Sequence, residues 1–309
     1  MAFISYLNLL VWPMMAIGWV TTLIQRGAAS MRRINRVLHE RPEVLNPPGP
    51  GNVRLKGKIE IKGLSFKYPG QSVYALRDIN VAIEEGETVA LAGTVGSGKS
   101  TLLQGIPRLL EVPRGTVFID GTDAHDIPLK VLRENIGFVT QEAILFSDTI
   151  RNNVVFGRED VSQEQLLETL ETAQIREEVL ALENALDSIL GERGITLSGG
   201  QRQRLTIARA LVTDPPILIL DDAFSMVDTS TEARILKKIL QLRKEKTTLV
   251  VSHRVPTIER ADRILVLKDG RLVEAGDHRT LLEKGTEYRR IYRRQVLAQE
   301  LGIEVSDRD

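Results

Sequence analysis

The 309-residue sequence contains no cysteine, which excludes disulfides and thiolate metal sites and fits a reducing compartment. It has no charge excess, with 41 basic against 41 acidic residues. A nucleic-acid binder usually carries a basic surplus, so no nucleic-acid partner is expected. Histidine is scarce. His39, His125, His253 and His278 stand far apart, and none is paired at metal-ligand spacing, so no transition metal is expected. Internal repeats and low-complexity tracts are absent too.

Charge is also missing from the first 25 residues. Phe3 to Ile24 is mostly apolar and holds both tryptophans, Trp12 and Trp19. At about 1.5 Å per residue this stretch reaches roughly 33 Å, the thickness of a bilayer core. A secretory signal would want a positive start and a small-residue cleavage site, and neither is clear. A buried soluble helix would be shorter and more patterned. A membrane span is therefore the expectation, and Pro13 is tolerable within it. Arg26, Arg32, Arg33 and Arg36 follow directly, which places the C-terminal side in the cytoplasm. Met31, Ile34, Val37 and Leu38 continue at helical spacing.

Proline and glycine then cluster between Arg41 and Gly57, the signature of a linker. Beyond it, Ile59-Glu60-Ile61, Leu64-Ser65-Phe66 and Ile79 to Ile83 alternate as antiparallel strands do. Thr88 to Ala92 reads as a short buried strand. It enters Gly93-Thr94-Val95-Gly96-Ser97-Gly98-Lys99-Ser100, and Thr101-Leu102-Leu103 opens a helix. This strand–loop–helix order is the context that a phosphate-binding loop requires. Glycines let backbone N–H groups turn inward on an anion, and the helix points its positive end at it. Lys99 would neutralise phosphates and the Ser100 hydroxyl would hold Mg²⁺.

Helical and strand signals alternate after the loop, as in a mostly parallel α/β core. From about Glu142 to Asp214 the reading is mainly helical, with a capping box at Ser162 and Gln165. Ile217 to Leu220 is a buried strand ending in Asp221-Asp222, and Thr248 to Val251 is another. A carboxylate at a strand tip beside a phosphate loop is the usual second Mg²⁺ holder. Leu197-Ser198-Gly199-Gly200-Gln201 starts a further helix. Ser198 suits its N-cap, and the glycine pair exposes N–H groups at a positive helix end. Read alone, this is either a capped surface helix or a second anion site without a lysine, the latter as expected if two copies face each other and each covers the other's nucleotide. The basic run Arg289, Arg290, Arg293 and Arg294 in the last helix reads as a solvated face.

In order, the chain carries Tyr68, the phosphate loop, Gln141, Phe146-Ser147-Asp148-Thr149-Ile150 and Gly191-Glu192-Arg193-Gly194. Leu197 to Gln201, Asp221-Asp222, Ser225-Met226-Val227-Asp228 and Ser252-His253 follow. This ordered set resembles the ATP-binding-cassette transporter family, exporter type, over roughly Gly57 to Leu301. The resemblance implies an α/β P-loop NTPase with a RecA-like core, an antiparallel β subdomain and a helical subdomain, preceded by one transmembrane helix. The implied layout is a last membrane span with its cytoplasmic extension over 1–41, a linker over 42–57, a nucleotide-binding domain over 58–302 and a tail over 303–309. Its helical subdomain would lie at about 142–214. By the same resemblance the ligands are ATP and Mg²⁺. Tyr68 stacks on adenine. Gly93, Thr94, Val95, Gly96, Ser97, Gly98, Lys99, Ser100 and Thr101 surround the phosphates. Ser100, Gln141 and Asp221 form the metal shell, and His253 contacts the γ-phosphate. Ser198, Gly199, Gly200 and Gln201 reach the nucleotide of the opposite subunit, with Asp228 at the dimer seam. His39, His125 and His278 receive no such role.

The chain departs from the family pattern in one place that matters for chemistry. A glutamate normally follows the Asp221 position as general base; here it is Asp222, one methylene shorter. A misplacement of about 1 Å can cost on the order of 10²-fold in rate, so slow hydrolysis is expected. An intact Ser198 segment beside a shortened base resembles the degenerate half of bacterial heterodimeric multidrug exporters. Ser225-Met226-Val227-Asp228 also differs from the usual Ser-Ala-Leu-Asp, and nothing in the sequence accounts for it.

The expectation is therefore the ATP-binding, ATP-hydrolysing half of an exporter in the inner (plasma) membrane, its nucleotide domain cytoplasmic. Its partners would be a second half-transporter, heterodimeric by preference, membrane lipid and a hydrophobic drug-like or lipid substrate. One span is too few for a pathway, so the chain is expected to be the last span and cassette of a larger assembly. The alternative is a membrane-anchored ATP-dependent switch without transport. A soluble DNA-repair ATPase of the same superfamily would insert long coiled coils between loop and signature, whereas Lys99 and Ser198 are only 99 positions apart.

Overall fold

The computed structural model of the chain describes residues 2–40, 42, 44–47, 55–158, 160–191, 197–252 and 254–301, the last four by backbone alone. They divide into two units, Met1–Leu45 and Asn46–Asp309.

The first unit is one helix, α1 (Ala2–Leu38), with Pro13 inside it and no buried residue. It is long and apolar enough to cross a bilayer, with a mean hydropathy of 1.6 over its most apolar window. Its two threonines satisfy their hydroxyls within the helix. Thr21 and Thr22 donate to the carbonyls of Ile17 and Gly18, at 2.7 and 2.9 Å. As the Met31 to Leu38 spacing predicts, the helix runs past the apolar stretch.

In the second unit, β1 (Ile59–Phe66) pairs antiparallel with β2 (Leu76–Ile83). The two short alternating runs of the sequence are one strand with a register shift between Ile61 and Leu64. Gly63, at φ 59°, takes the left-handed turn there. The one extra residue returns Leu64 to the same buried side as Ile61. β3 (Thr88–Ala92) leads through the glycine loop into α2 (Lys99–Gly105). The chain then returns to the first sheet as β4 (Val117–Ile119) and β5 (Thr122–Asp123), giving the order β2-β1-β4-β5. The sequence reading missed this hairpin. Its turn, Asp120-Gly121 at φ 51° and 80°, is a usual two-residue hairpin turn.

After α3 (Leu129–Glu134) and β6 (Ile136–Val139) comes the helical region. It begins only at α4 (Ile150–Val155), so 142–149 is loop. α5 (Gln163–Thr172) starts on the predicted capping box. α6 (Arg176–Leu180) and α7 (Gly199–Leu211) follow. β7 (Ile217–Asp221), α8 (Thr229–Leu242), β8 (Thr247–Val251), α9 (Val255–Ile258), β9 (Arg263–Lys268) and β10 (Arg271–Gly276) complete the core. α10 (His278–Lys284) and α11 (Glu287–Leu301) end it.

The second sheet runs β10-β9-β3-β8-β7-β6. It is parallel except for β10 on β9. Its central strands are buried throughout because both faces are covered, which is why they read as continuous apolar runs. Ala90, Leu218, Leu220 and Val250 face one core, with α4, α5, α7 and α8. Leu91, Ile217, Ile219 and Leu249 face the other, with α2 and the antiparallel sheet.

One buried hydroxyl ties the two sheets together. Thr247 donates to the Gly57 carbonyl at 2.7 Å and accepts from the Gly86 N–H at 3.2 Å. Thr247→Val keeps the shape but leaves both backbone groups unpaired, a cost of about 1–3 kcal/mol. We expect the thermal midpoint of the detergent-solubilised chain to fall by roughly 2–8 °C; an unchanged midpoint would show that Thr247 is not a tie.

Candidate nucleotide site

The loop between β3 and α2 is shaped by what surrounds it. Gly93 has φ 152°, and a Cβ there would lie 2.4 Å from the Leu267 carbonyl oxygen and 2.6 Å from Ser97 Oγ. Gly98 has φ 102°, and its Cβ would meet the Ala75 carbonyl oxygen at 2.7 Å. Only glycine fits at either position. The buried Lys99 ammonium curls back into the loop, donating to the Gly93 and Thr94 carbonyls at 2.8 and 2.9 Å. Tyr68 stands beside the loop. Its hydroxyl is 3.1 Å from Thr101 Oγ1, and its ring meets Phe66 edge-on at 5.1 Å. Tyr68 remains 38% exposed.

Across the sheet edge, Ser100 Oγ donates to Asp221 Oδ1 at 3.0 Å. Two ligands at adjacent corners of a Mg²⁺ octahedron, each about 2.1 Å from the ion, are about 3 Å apart. A hydroxyl and a carboxylate are the hard oxygen donors this ion takes, so the pair fits it. Asp222 follows in the left-handed region at φ 50°, its N–H donating to the Val251 carbonyl at 3.2 Å. Gln141, at the end of β6, donates from Nε2 to Asp222 Oδ2 at 3.4 Å. The structure thus brings Gln141 to the shortened carboxylate.

α7 opens as the sequence predicts. Ser198 Oγ accepts from the Gln201 N–H at 3.2 Å, and Gln201 Oε1 accepts from the Ser198 N–H at 2.8 Å. Gln201 Nε2 also donates to Glu178 at 2.8 Å. Burial works against the Glu178 carboxylate, but hydrogen bonds from Arg204 and Gln201 outweigh it and hold its pKa below the usual range. Gly199 and Gly200 occupy the first helical turn, where backbone N–H groups have no partner within the helix. Among the described residues, none of the hydrogen bonds of Ser198 and Gln201 ends in the phosphate loop. Asp228 caps α8, accepting from Thr231 N–H at 2.9 Å and Ser230 Oγ at 2.7 Å. These bonds press its pKa far below that of an ordinary carboxylate.

His253 and Glu192-Arg193-Gly194 lie outside the described residues. The residues flanking 253 are gripped by one the sequence reading missed. Buried Glu232 on α8 accepts from Ser252 at 3.3 Å and from Arg254 and Thr257. Burial raises its pKa despite these bonds. Arg209 and Asn153 were missed as well. Arg209 donates to the Ile144 and Asn153 carbonyls, at 2.8 and 2.7 Å, and lies over the rings of Phe146 and Phe156. Burial lowers its pKa to about 10, which leaves it charged at neutral pH. It fastens the loop that follows Gln141 to α7.

A glycine loop between a parallel strand and a helix, with a carboxylate from a second strand against its serine, defines a P-loop NTPase. Residues 76–225 match the ABC transporter family model. The chain is 40% identical over 296 residues to a probable multidrug resistance ABC transporter ATP-binding/permease protein YheI of Bacillus subtilis, covering 96% of this chain and 51% of that protein. It is 40% identical over 309 residues to an ATP-dependent lipid A-core flippase of Syntrophus aciditrophicus, covering 100% of this chain and 51% of the flippase. Among solved structures, a bacterial Atm1-family ABC exporter with ATP bound superposes with a TM-score of 0.83 at 34% identity, over 94% of this chain and 51% of the exporter. The chain carries an ABC transporter ATPase domain, preceded by one apolar helix. It spans about half the length of the curated relatives it matches.

The glycine geometry yields a direct expectation. Gly93→Ala should push the loop off the Leu267 carbonyl and lower ATP affinity at least tenfold, measured by fluorescent-nucleotide titration, with the far-ultraviolet dichroism retained. Unaltered affinity would mean that the loop does not seat phosphates in this shape.

Proposed function

We propose that the chain is the ATP-binding and ATP-hydrolysing part of an ABC exporter half. In this reading two cassettes pair face to face around ATP. Gly93 to Thr101 hold the phosphates of each chain's own nucleotide, and Tyr68 carries the adenine. Ser100, Asp221 and Gln141 would hold Mg²⁺, which would shield the phosphate charge. Asp222 would orient the attacking water, with His253 at the terminal phosphate. Ser198, Gly199, Gly200 and Gln201 would close on the partner's nucleotide, and Asp228 would lie at the seam. Pairing and parting of the cassettes would be coupled to membrane helices through a two-state change of access. The cargo class is hydrophobic, drug-like or lipid, and the site of action is the inner (plasma) membrane with the cassette in the cytoplasm.

The observation that carries the reading is the Ser100–Asp221 contact at 3.0 Å beside a loop that only glycine can form. The separate anion seat on α7 supports pairing. Asp222 supports the finer proposal that this chain is the slow half of a heterodimer, since its carboxylate is one methylene short of the usual base. In this reading Asp222→Glu raises turnover of the purified chain at least tenfold in a coupled phosphate-release assay. Mixing the unaltered chain with a half-transporter that carries the glutamate should likewise raise turnover above the sum of the two alone. Fast turnover by the unaltered chain, or no gain from the glutamate, would contradict the slow-site assignment.

A further inference from the structure

The sequence left Met226 without an explanation, and the structure supplies one. The seven residues from Asp222 to Asp228 form a strap between β7 and α8. Ala223, Phe224 and Val227 are buried, and Asp228 fastens the far end by capping α8. The middle of the strap is held to α7. Gln203, 1% exposed, donates from Nε2 to Ser225 Oγ at 2.6 Å and accepts the Met226 N–H on Oε1 at 2.7 Å. The Met226 side chain then lies on the start of the helix. A Cβ on Gly199 would fall 2.4 Å from Met226 Sδ, and one on Gly200 would fall 2.8 Å from the Met226 carbonyl oxygen. Neither glycine has a positive φ. At Gly200 the strap's own backbone carbonyl excludes a side chain, whereas at Gly199 the neighbour is the flexible end of the Met226 side chain.

We infer that Met226 is a positioning residue, a thioether strut that seats the Gly199–Gly200 anion site against the strap carrying Asp222. The inference rests on the reading that this glycine pair serves a partner's nucleotide. Under it, each chain has a short internal link between the carboxylate at its own nucleotide and the glycines it lends to the other. The link has two parts. Gln203 fixes the strap backbone, whose carbonyl at Met226 lies against Gly200, and the Met226 side chain lies against Gly199. Alanine, usual at this position in the resemblance, would keep the first part and empty the second. Met226 itself is 62% exposed, so its truncation removes a surface contact and leaves the buried core intact.

The test uses the full chain in detergent, as wild type, Met226→Ala and Met226→Leu. Fluorescent-nucleotide titration reads each chain's own phosphate loop. Sedimentation reads ATP-driven pairing. Amide hydrogen exchange of 197–201 without nucleotide reads the seat itself. Met226→Ala should leave nucleotide affinity within twofold, weaken pairing at least fivefold and speed exchange at 197–201 at least fivefold. Met226→Leu, which refills the space, should restore both to within twofold of wild type. Equal pairing and exchange in all three chains would overturn the inference, as would a Met226→Ala chain that loses nucleotide affinity in step with pairing. A wild-type chain that binds ATP without pairing would instead overturn the functional reading, and the exchange data would still decide whether the strut exists.

Discussion

The contact between the Ser100 hydroxyl and the Asp221 carboxylate depends on the whole architecture of the second sheet. The two residues lie on segments 121 positions apart, and β8 separates their strands. They meet because parallel strands all deliver their carboxyl ends to one edge. β3 delivers the phosphate loop there, β6 delivers Gln141, and β7 delivers Asp221 and Asp222. β8 delivers Ser252. A change of register in any of these strands would move its cargo to the wrong height or face. The buried apolar strands are thus what hold Ser100 and Asp221 together at the edge.

Supporting contacts act on the loops that leave this edge. Arg209 fastens the loop after Gln141 to α7, Glu232 grips both sides of position 253, and Gln203 holds the strap after Asp222. Arg209 and Gln203 are on α7 and Glu232 is on α8, and α7 also begins at the Ser198 cap and the glycine pair. The helices that surround the site are therefore also its alignment frame, and a shift of α7 would be felt at Gln141 and Asp222 together.

Much of this was legible in the sequence because the chemistry is local. The phosphate loop is a run of glycines whose spacing states its own geometry. Asp221-Asp222 ends an uninterrupted apolar run, and Ser198 with Gln201 three positions later is a local capping pattern that the structure reproduces. What escaped was long-range. Val117 to Asp123 looks like any short hairpin, and its membership of the first sheet depends on pairing with a strand far back in the chain, Ile119 with Ile59 and Val117 with Ile61. Glu232 reads as a surface charge on an amphipathic helix until α8 is packed against 252–257. Met226 gains meaning only when its strap is laid over Gly199 and Gly200, far earlier in the chain.

The central claim is that one chain supplies a complete phosphate loop and only half of each closed site. A structure of the full chain loaded with ATP and Mg²⁺ under non-hydrolysing conditions tests it most directly. The account predicts two molecules around two nucleotides, each triphosphate held by Gly93 to Thr101 of one chain and met by Ser198, Gly199 and Gly200 of the other. A solitary ATP-loaded molecule whose α7 start touches no phosphate would contradict it.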